Sequence, residues 1–101
     1  MGVEEKNREY GRLLLMKDIA LDVLASPGCR VCRQFEEFWH SIEKDWPHVT
    51  FRHIEVTTRE GQEMAQKYMI LASPGIILNN ELWATGGFDK EKFLKKLKAL
   101  S

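Results

Sequence analysis

The sequence predicts a single α/β domain: a four-stranded mixed β-sheet flanked by three helices, preceded by a short N-terminal extension over residues 1–16. Three observations point there. The chain has 101 residues, enough for one hydrophobic core and too few for two. Its first apolar segments alternate between runs of strand length and longer stretches in which apolar residues recur every three or four positions, the order of a strand-helix-strand unit. It then closes with two short apolar runs joined by Asn79-Asn80, a pair that tolerates left-handed backbone and so marks a β-hairpin. Composition agrees, since 44% hydrophobic and 30% charged residues describe a globular fold and not a disordered segment. Lys+Arg 15 balance Asp+Glu 15, and the resulting zero net charge argues against a nucleic-acid partner, because proteins that bind that polymer carry a basic excess.

Each element has its own signal. Residues 19–25 (Ile-Ala-Leu-Asp-Val-Leu-Ala) are apolar with one acid, as suits a buried strand, and Ser26-Pro27-Gly28 breaks the run. Val31, Phe35, Phe38, Trp39, Ile42 and Trp46 then recur at helical spacing, with Arg33, Gln34, Glu36, Glu37, Glu43 and Lys44 on the other face. This predicts a helix from about Arg30 to Asp45, ended by the steric demand of Pro47 on the residue before it. Val49 to Val56 reads as a strand whose apolar alternation changes phase between His53 and Ile54. Thr57 and Glu60 have the spacing of a capping box for a second helix running to near Tyr68, with Met64, Ala65 and Tyr68 inward. Within it Gly61 is expected to cost about 1 kcal/mol relative to alanine. The hairpin pairs Gly75–Leu78 with Glu81–Thr85, Gly86-Gly87 turns the chain, and Asp89 caps a last helix. That helix carries Phe93, Leu94, Leu97 and Leu100 on one face and five lysines, beginning at Lys90, on the other, which reads as a solvated face. A strand-helix-strand start demands a parallel pair with a right-handed crossover, to which the hairpin adds antiparallel strands.

The chemistry is carried by the two cysteines, Cys29 and Cys32. A disulfide scaffold would need more of them, and a bridge across so short a loop constrains the unfolded chain little. A structural zinc site would need four ligands, yet His40, His48 and His53 supply no paired motif. A catalytic thiol pair, a two-coordinate Cu(I) site and two inert core thiols stay open on spacing alone. No stretch reads as a signal peptide or membrane span: the opening residues are polar, and Leu13-Leu14-Leu15-Met16 is cut off by Lys17-Asp18. The expected compartment is the cytoplasm, where thiols are kept reduced and such a pair is more often catalytic or metal-binding than structural.

From about Asp18 to Leu100 the arrangement resembles the thioredoxin fold. Cys29-Arg30-Val31-Cys32 follows the first strand and opens the first long helix, where that family places its redox pair. Ser73-Pro74 stands before the hairpin, matching a proline that in the family is cis and lies against the active-site sulfurs. The stretch from Pro74 to Glu81, with Gly86-Gly87-Phe88-Asp89-Lys90, is similar to the family's hairpin, glycine turn and last helix. The resemblance implies a protein-disulfide reductase. Cys29, activated at a helix N-terminus with Arg30 and Arg33 nearby, would be the nucleophile and Cys32 the resolving thiol. Ser73 would hold the substrate chain through its backbone, with Arg30, Pro74, Gly86 and Gly87 around it. It further implies no metal and no bound cofactor, protein disulfides as substrates, a thioredoxin-reductase-like or glutathione electron donor, and a monomer.

The chain also departs from the family. Gly28 replaces the tryptophan before the pair, and Arg30-Val31 replaces Gly-Pro within it. Val23 stands where thioredoxins bury an acid beneath the resolving cysteine, and the adjacent Asp22 is expected to face the other side of the strand. The rival is glutaredoxin, because Gly86-Gly87-Phe88-Asp89 resembles the glycine pair and acid that hold glutathione there. Against it, Ser26 occupies the place of that family's lysine and its Pro-Tyr interior is absent. A glutathione-dependent reductase is therefore the first alternative, and a non-enzymatic redox-sensing or metal-handling thiol module the second.

Overall fold

The computed structural model describes residues 17–101, and the expected extension over residues 1–16 lies outside them. Strand β1 (Ile19–Ala25) is buried at six of its seven positions. It lies inside a four-stranded sheet with β2 (Val49–Glu55), β3 (Gly75–Leu78) and β4 (Glu81–Thr85), in the order β2-β1-β3-β4. β2 runs parallel to β1, while β3 is antiparallel to both β1 and β4, so the expected mixed sheet is present. Helices α1 (Arg30–Ile42), α2 (Arg59–Lys67) and α3 (Lys90–Leu100) complete the thioredoxin fold. Among the described residues no helix is long and apolar enough to cross a membrane.

The phase change in β2 has a simple origin. Val49 and Phe51 pack on the main core with α1, whereas Arg52 and Ile54 lie on the opposite face. Both faces of the strand are thus used, which breaks the one-sided alternation without any slip in register. The main core joins Leu21, Val23, Ile76 and Leu78 of the sheet to Phe35 and Trp39 of α1 and Phe93 and Leu97 of α3. Phe35 sits at its centre, meeting Phe88 and Phe93 edge to face at ring-centroid distances of 5.0 and 5.1 Å. The hairpin turns as expected: Asn79 and Asn80 have φ of 51° and 64°. Asn79 also clamps the turn to β1, donating its amide to Ala20 O at 2.9 Å and accepting the Ala20 amide on its side chain at 2.9 Å.

Three local expectations are corrected. The first helix stops being α-helical at Ile42, and Glu43–Asp45 is a 3₁₀ turn. Tightening of the last turn lets the Trp46 amide reach Glu43 O at 3.0 Å just ahead of Pro47. The cap of α2 is Thr58, not Thr57: its hydroxyl oxygen accepts the Gly61 amide at 3.0 Å and donates to Glu55 O at 2.7 Å. Glu60 does not reach back to the cap but pairs with Arg52 at 2.8 Å. Arg52 in turn holds the buried Asp22 through two bonds of 2.9 and 3.2 Å, so β1, β2 and α2 are cross-tied on this face.

Gly61 is the third. It is buried, and a Cβ there would lie 2.0 Å from Glu55 O and 2.8 Å from the Val56 Cα, both backbone atoms that cannot swing away. Close approach of α2 to the end of β2 depends on the missing side chain. Gly61→Ala is therefore expected to destabilise the fold by about 2 kcal/mol or more, as overpacking does, although helix propensity alone predicts a gain of about 1 kcal/mol. Urea unfolding followed by circular dichroism reads the sign directly.

Candidate redox site

Strand β1 ends at Ala25, whose carbonyl is taken by the Val56 amide at 2.7 Å. The chain then turns through Ser26-Pro27-Gly28, with Gly28 at φ 72° where a side chain would be strained. The turn delivers Cys29 as the N-cap of α1, and its sulfur accepts the Cys32 amide at 3.2 Å. Cys29 and Cys32 are joined as a disulfide with Cα atoms 5.3 Å apart. Cys29 is partly exposed, while Cys32, one turn into the helix, is only 2% exposed. Position thus separates an accessible sulfur from a shielded one.

A second chain segment reaches the same sulfur. Ser73 Oγ donates to Cys29 Sγ at 3.5 Å, and Ser26 Oγ lies 2.6 Å from Ser73 Oγ. Because Ser73 gives its single proton to sulfur, Ser26 is the donor to Ser73, and two hydroxyls form a chain ending on Cys29. When the pair is reduced, an amide, a hydroxyl and the positive end of α1 all favour the thiolate form of Cys29. The Ser73–Pro74 peptide bond is cis, Pro74 is buried, and its carbonyl accepts the Gly86 amide at 3.0 Å. Gly86, at φ 76°, faces Ala72 beside this segment, and nothing lies within 4 Å of where a Gly87 side chain would begin. Cys29, Cys32, Ser73, Pro74 and Gly86 are thus brought together. Arg30 is exposed on the first turn of α1, and Asp89 uses a carboxylate oxygen to cap α3 through the Lys92 amide at 2.9 Å.

Sequence reasoning missed several residues around this centre. A cavity of about 200 Å³ beside the disulfide is lined by Cys29, Cys32, Arg33, Glu36, His53 and Glu55, among others. His53 bonds Glu36 through Nδ1 and Glu55 through Nε2, the latter at 2.8 Å. Its hydrogen bond to Glu55, then that to Glu36, raises the His53 pKa above its ordinary 6.5 against the opposing effect of burial. His48 turns elsewhere and bonds Ser101 Oγ at 2.9 Å. Val23 is packed in the main core and Asp22 faces the other side of the sheet with Arg52. The acid that the family buries on this strand therefore has no counterpart in the cavity wall. The other omission is apolar: Leu71 and Met69, on the segment leading to Ser73, are 98% and 82% exposed. Ser26, Glu36 and Glu55 carried no signal beyond being polar, while an apolar run lacking strand or helix periodicity just before Ser73-Pro74 was a cue to Leu71.

The family model described as the thioredoxin domain matches residues 19–99. No curated protein matches the chain in sequence. Among solved structures it is similar to thioredoxin from Fasciola hepatica, with a TM-score of 0.67 and 17% identity over 96% of this chain and 94% of that one. It is similar also to oxidised mitochondrial thioredoxin 3 from Saccharomyces cerevisiae, at 0.64 and 18% identity over 92% and 89%. A third is the complex of ferredoxin:thioredoxin reductase and thioredoxin f2, at 0.64 and 11% over 83% and 78%. At these identities the structures speak for the fold, whereas the family match runs from the first residue of β1 almost to the end of α3 and takes in both cysteines: the chain belongs to the thioredoxin family.

Proposed function

We propose that this protein is a thiol-disulfide oxidoreductase that reduces disulfides in protein substrates by cycling Cys29 and Cys32 between dithiol and disulfide. The observation that carries the reading is the placement of one accessible sulfur at a helix N-terminus, with an amide and a hydroxyl aimed at it, one turn from a shielded partner. The Cys29 thiolate attacks a substrate sulfur, forming a mixed disulfide and expelling the first substrate thiolate. Cys32 loses its proton and attacks Cys29 Sγ, forming the Cys29–Cys32 bond and releasing the second substrate thiolate. Two electrons pass to the substrate, and a dithiol donor or glutathione restores the reduced pair. One of the similar structures holds thioredoxin f2 in complex with ferredoxin:thioredoxin reductase, which supports a reductase as a partner class. A reducing compartment such as the cytoplasm suits this direction of flow.

Ser73, whose segment runs past the cis bond beside Cys29, is the residue whose backbone would pair with an incoming chain, with Pro74, Gly86 and Gly87 behind it and Arg30 at the rim. The exposed Leu71, in a groove with Ser26 and Ser73, and the exposed Met69 on the same segment support a polypeptide over glutathione, since an apolar surface there gains most from burying apolar side chains. Asp89, the acid that would serve a glutathione site, is spent on capping its own helix.

Insulin reduction by the wild-type protein with dithiothreitol as donor is the direct test. Cys29→Ser is expected to abolish it, and Cys32→Ser to trap a mixed disulfide with protein substrates; absence of both effects would remove the reductase reading. Leu71→Lys is expected to slow reduction of a protein disulfide about tenfold more than that of a small aromatic disulfide, the weight of roughly one lost apolar contact. Equal slowing of both, together with a preferred glutathione mixed disulfide, would favour the glutathione-dependent alternative.

A further inference from the structure

Two hydroxyls lead to the accessible sulfur, and the farther one never touches it. Ser26 and Cys29 are the first and last residues of the tight turn after β1: the Cys29 amide donates to Ser26 O at 3.2 Å, and Gly28, at φ 72°, takes the third position. Their relative place is therefore set by backbone, independently of the Ser26 side chain. Ser73 comes in from the segment before β3, 44 residues from Cys29, and is anchored by the buried Pro74, whose carbonyl accepts the Gly86 amide. Its Oγ stands 2.6 Å from Ser26 Oγ and 3.5 Å from Cys29 Sγ. A serine hydroxyl has one proton and turns about its own bond, so Ser73 donates to one of these neighbours at a time. A disulfide sulfur accepts weakly, whereas a thiolate carries charge and holds the proton far better. Among the described residues, Ser26 Oγ bonds nothing but Ser73 Oγ. Once the Ser73 proton is on sulfur, Ser26 becomes the donor to Ser73; its bond removes the competing orientation and polarises the Ser73 O–H toward Cys29.

We propose that Ser26 is a positioning residue of the redox site: by donating to Ser73 it keeps the Ser73 proton on Cys29 Sγ and so makes the Cys29 thiol more acidic. The inference rests on the dithiol cycle proposed above, in which Cys29 attacks as a thiolate. On ionisation the S–H bond of Cys29 breaks, its electron pair stays on sulfur and the proton goes to water, since Cys29 is partly exposed. The other groups acting on this sulfur do not pass through Ser26. They are the Cys32 amide at 3.2 Å, Arg30 on the exposed first turn of α1, and, across the adjoining cavity, Arg33 and Glu36 of α1 with His53 and Glu55 of β2. β1 contributes to that cavity wall through Ala25 alone. On the other side of the two serines lies a groove lined by Leu24, Val56, Ile70, Leu71 and Ala72, which brings no charge and offers no side-chain partner to compete for either hydroxyl. The two serines thus depend on each other, and the sulfur depends on both.

Alkylation of the reduced protein by iodoacetamide, with the modified cysteine identified by peptide mass spectrometry, follows the Cys29 thiolate between about pH 4 and 9. Ser73→Ala is expected to raise the midpoint of the rate profile by about one pH unit, the weight of one hydrogen bond to a charged group. Ser26→Ala should raise it by roughly half as much, because Ser73 remains but is no longer held. Added to Ser73→Ala, the Ser26→Ala change should move the midpoint no further, since the chain is already cut. Ser26→Thr, which keeps the hydroxyl, should titrate with the wild type, and all variants should reach the same rate at high pH. Coincident profiles for wild type and Ser26→Ala overturn the inference. So does a Ser26→Ala shift that persists in full on the Ser73→Ala background, because Ser26 would then act on the sulfur by another route. Neither result touches the reductase reading, which is decided by insulin reduction and the Cys32→Ser trap. If alkylation falls first on Cys32, the assignment of the nucleophile fails and takes the inference with it. Should an alanine variant not fold, the glycine variant at the same position removes the same hydroxyl and decides by the same profile.

Discussion

Strand β1 is paired along both edges, and the register of those pairings decides where everything reactive lies. On one side Leu24 stands opposite Gly75 of the antiparallel β3; on the other, Ala25 stands beside Glu55 of the parallel β2. Continuing the first ladder past its end brings Ser26 to Ser73, residues 47 apart in sequence whose hydroxyls meet at 2.6 Å. The second ladder ends with Glu55 at the mouth of the same turn. A slip of one residue would turn every β1 side chain to the other face, burying Asp22 in the aromatic core and carrying Val23 to Arg52. The hydrophobic demand of Leu21 and Val23 on one face, and the Asp22–Arg52 pair on the other, therefore hold the redox centre in place from below.

The centre itself is an economy of helix ends. Helix α1 has unpaired amides at its start like any helix, and the Cys29 sulfur takes one of them in the way a serine or aspartate cap would. The cap of the helix and one sulfur of the disulfide are the same atom, so a single hydrogen bond serves both the helix terminus and the sulfur. Phe35 and Trp39, fully buried against the sheet and α3, fix the axis along which that terminus points. The position of Cys29 is in this sense a consequence of core packing two turns away.

The two faces of the sheet divide the labour. The face under α2 is built for stability: Gly61 permits close approach, Thr58 caps the helix, and Arg52 joins Asp22 to Glu60. The face under α1 holds the disulfide together with the Glu36–His53–Glu55 cluster at the rim of the core. Val23 keeps the interior of that face apolar, and its titratable groups stand on α1 and at the end of β2.

By itself the sequence determined the element order, the four-stranded mixed sheet, the hairpin turn at Asn79-Asn80 and the location of the C-x-x-C pair at a helix start. Those are local properties, set by hydrophobic periodicity and by residues whose backbone preferences are strong. It did not determine which threonine caps α2, because Thr57 and Thr58 have the same chemistry and only the length of the turn after β2 selects between them. Nor did it reveal that Gly61 is required: a close approach of backbones belongs to the packing of two elements and leaves no trace in the glycine's own neighbours in sequence. The Ser26–Ser73 hydroxyl chain and the Glu36–His53–Glu55 cluster were likewise invisible, since each joins polar residues from separate segments. Only the register of β1 with its two neighbours, fixed by burial on both faces, brings them to one pair of sulfurs.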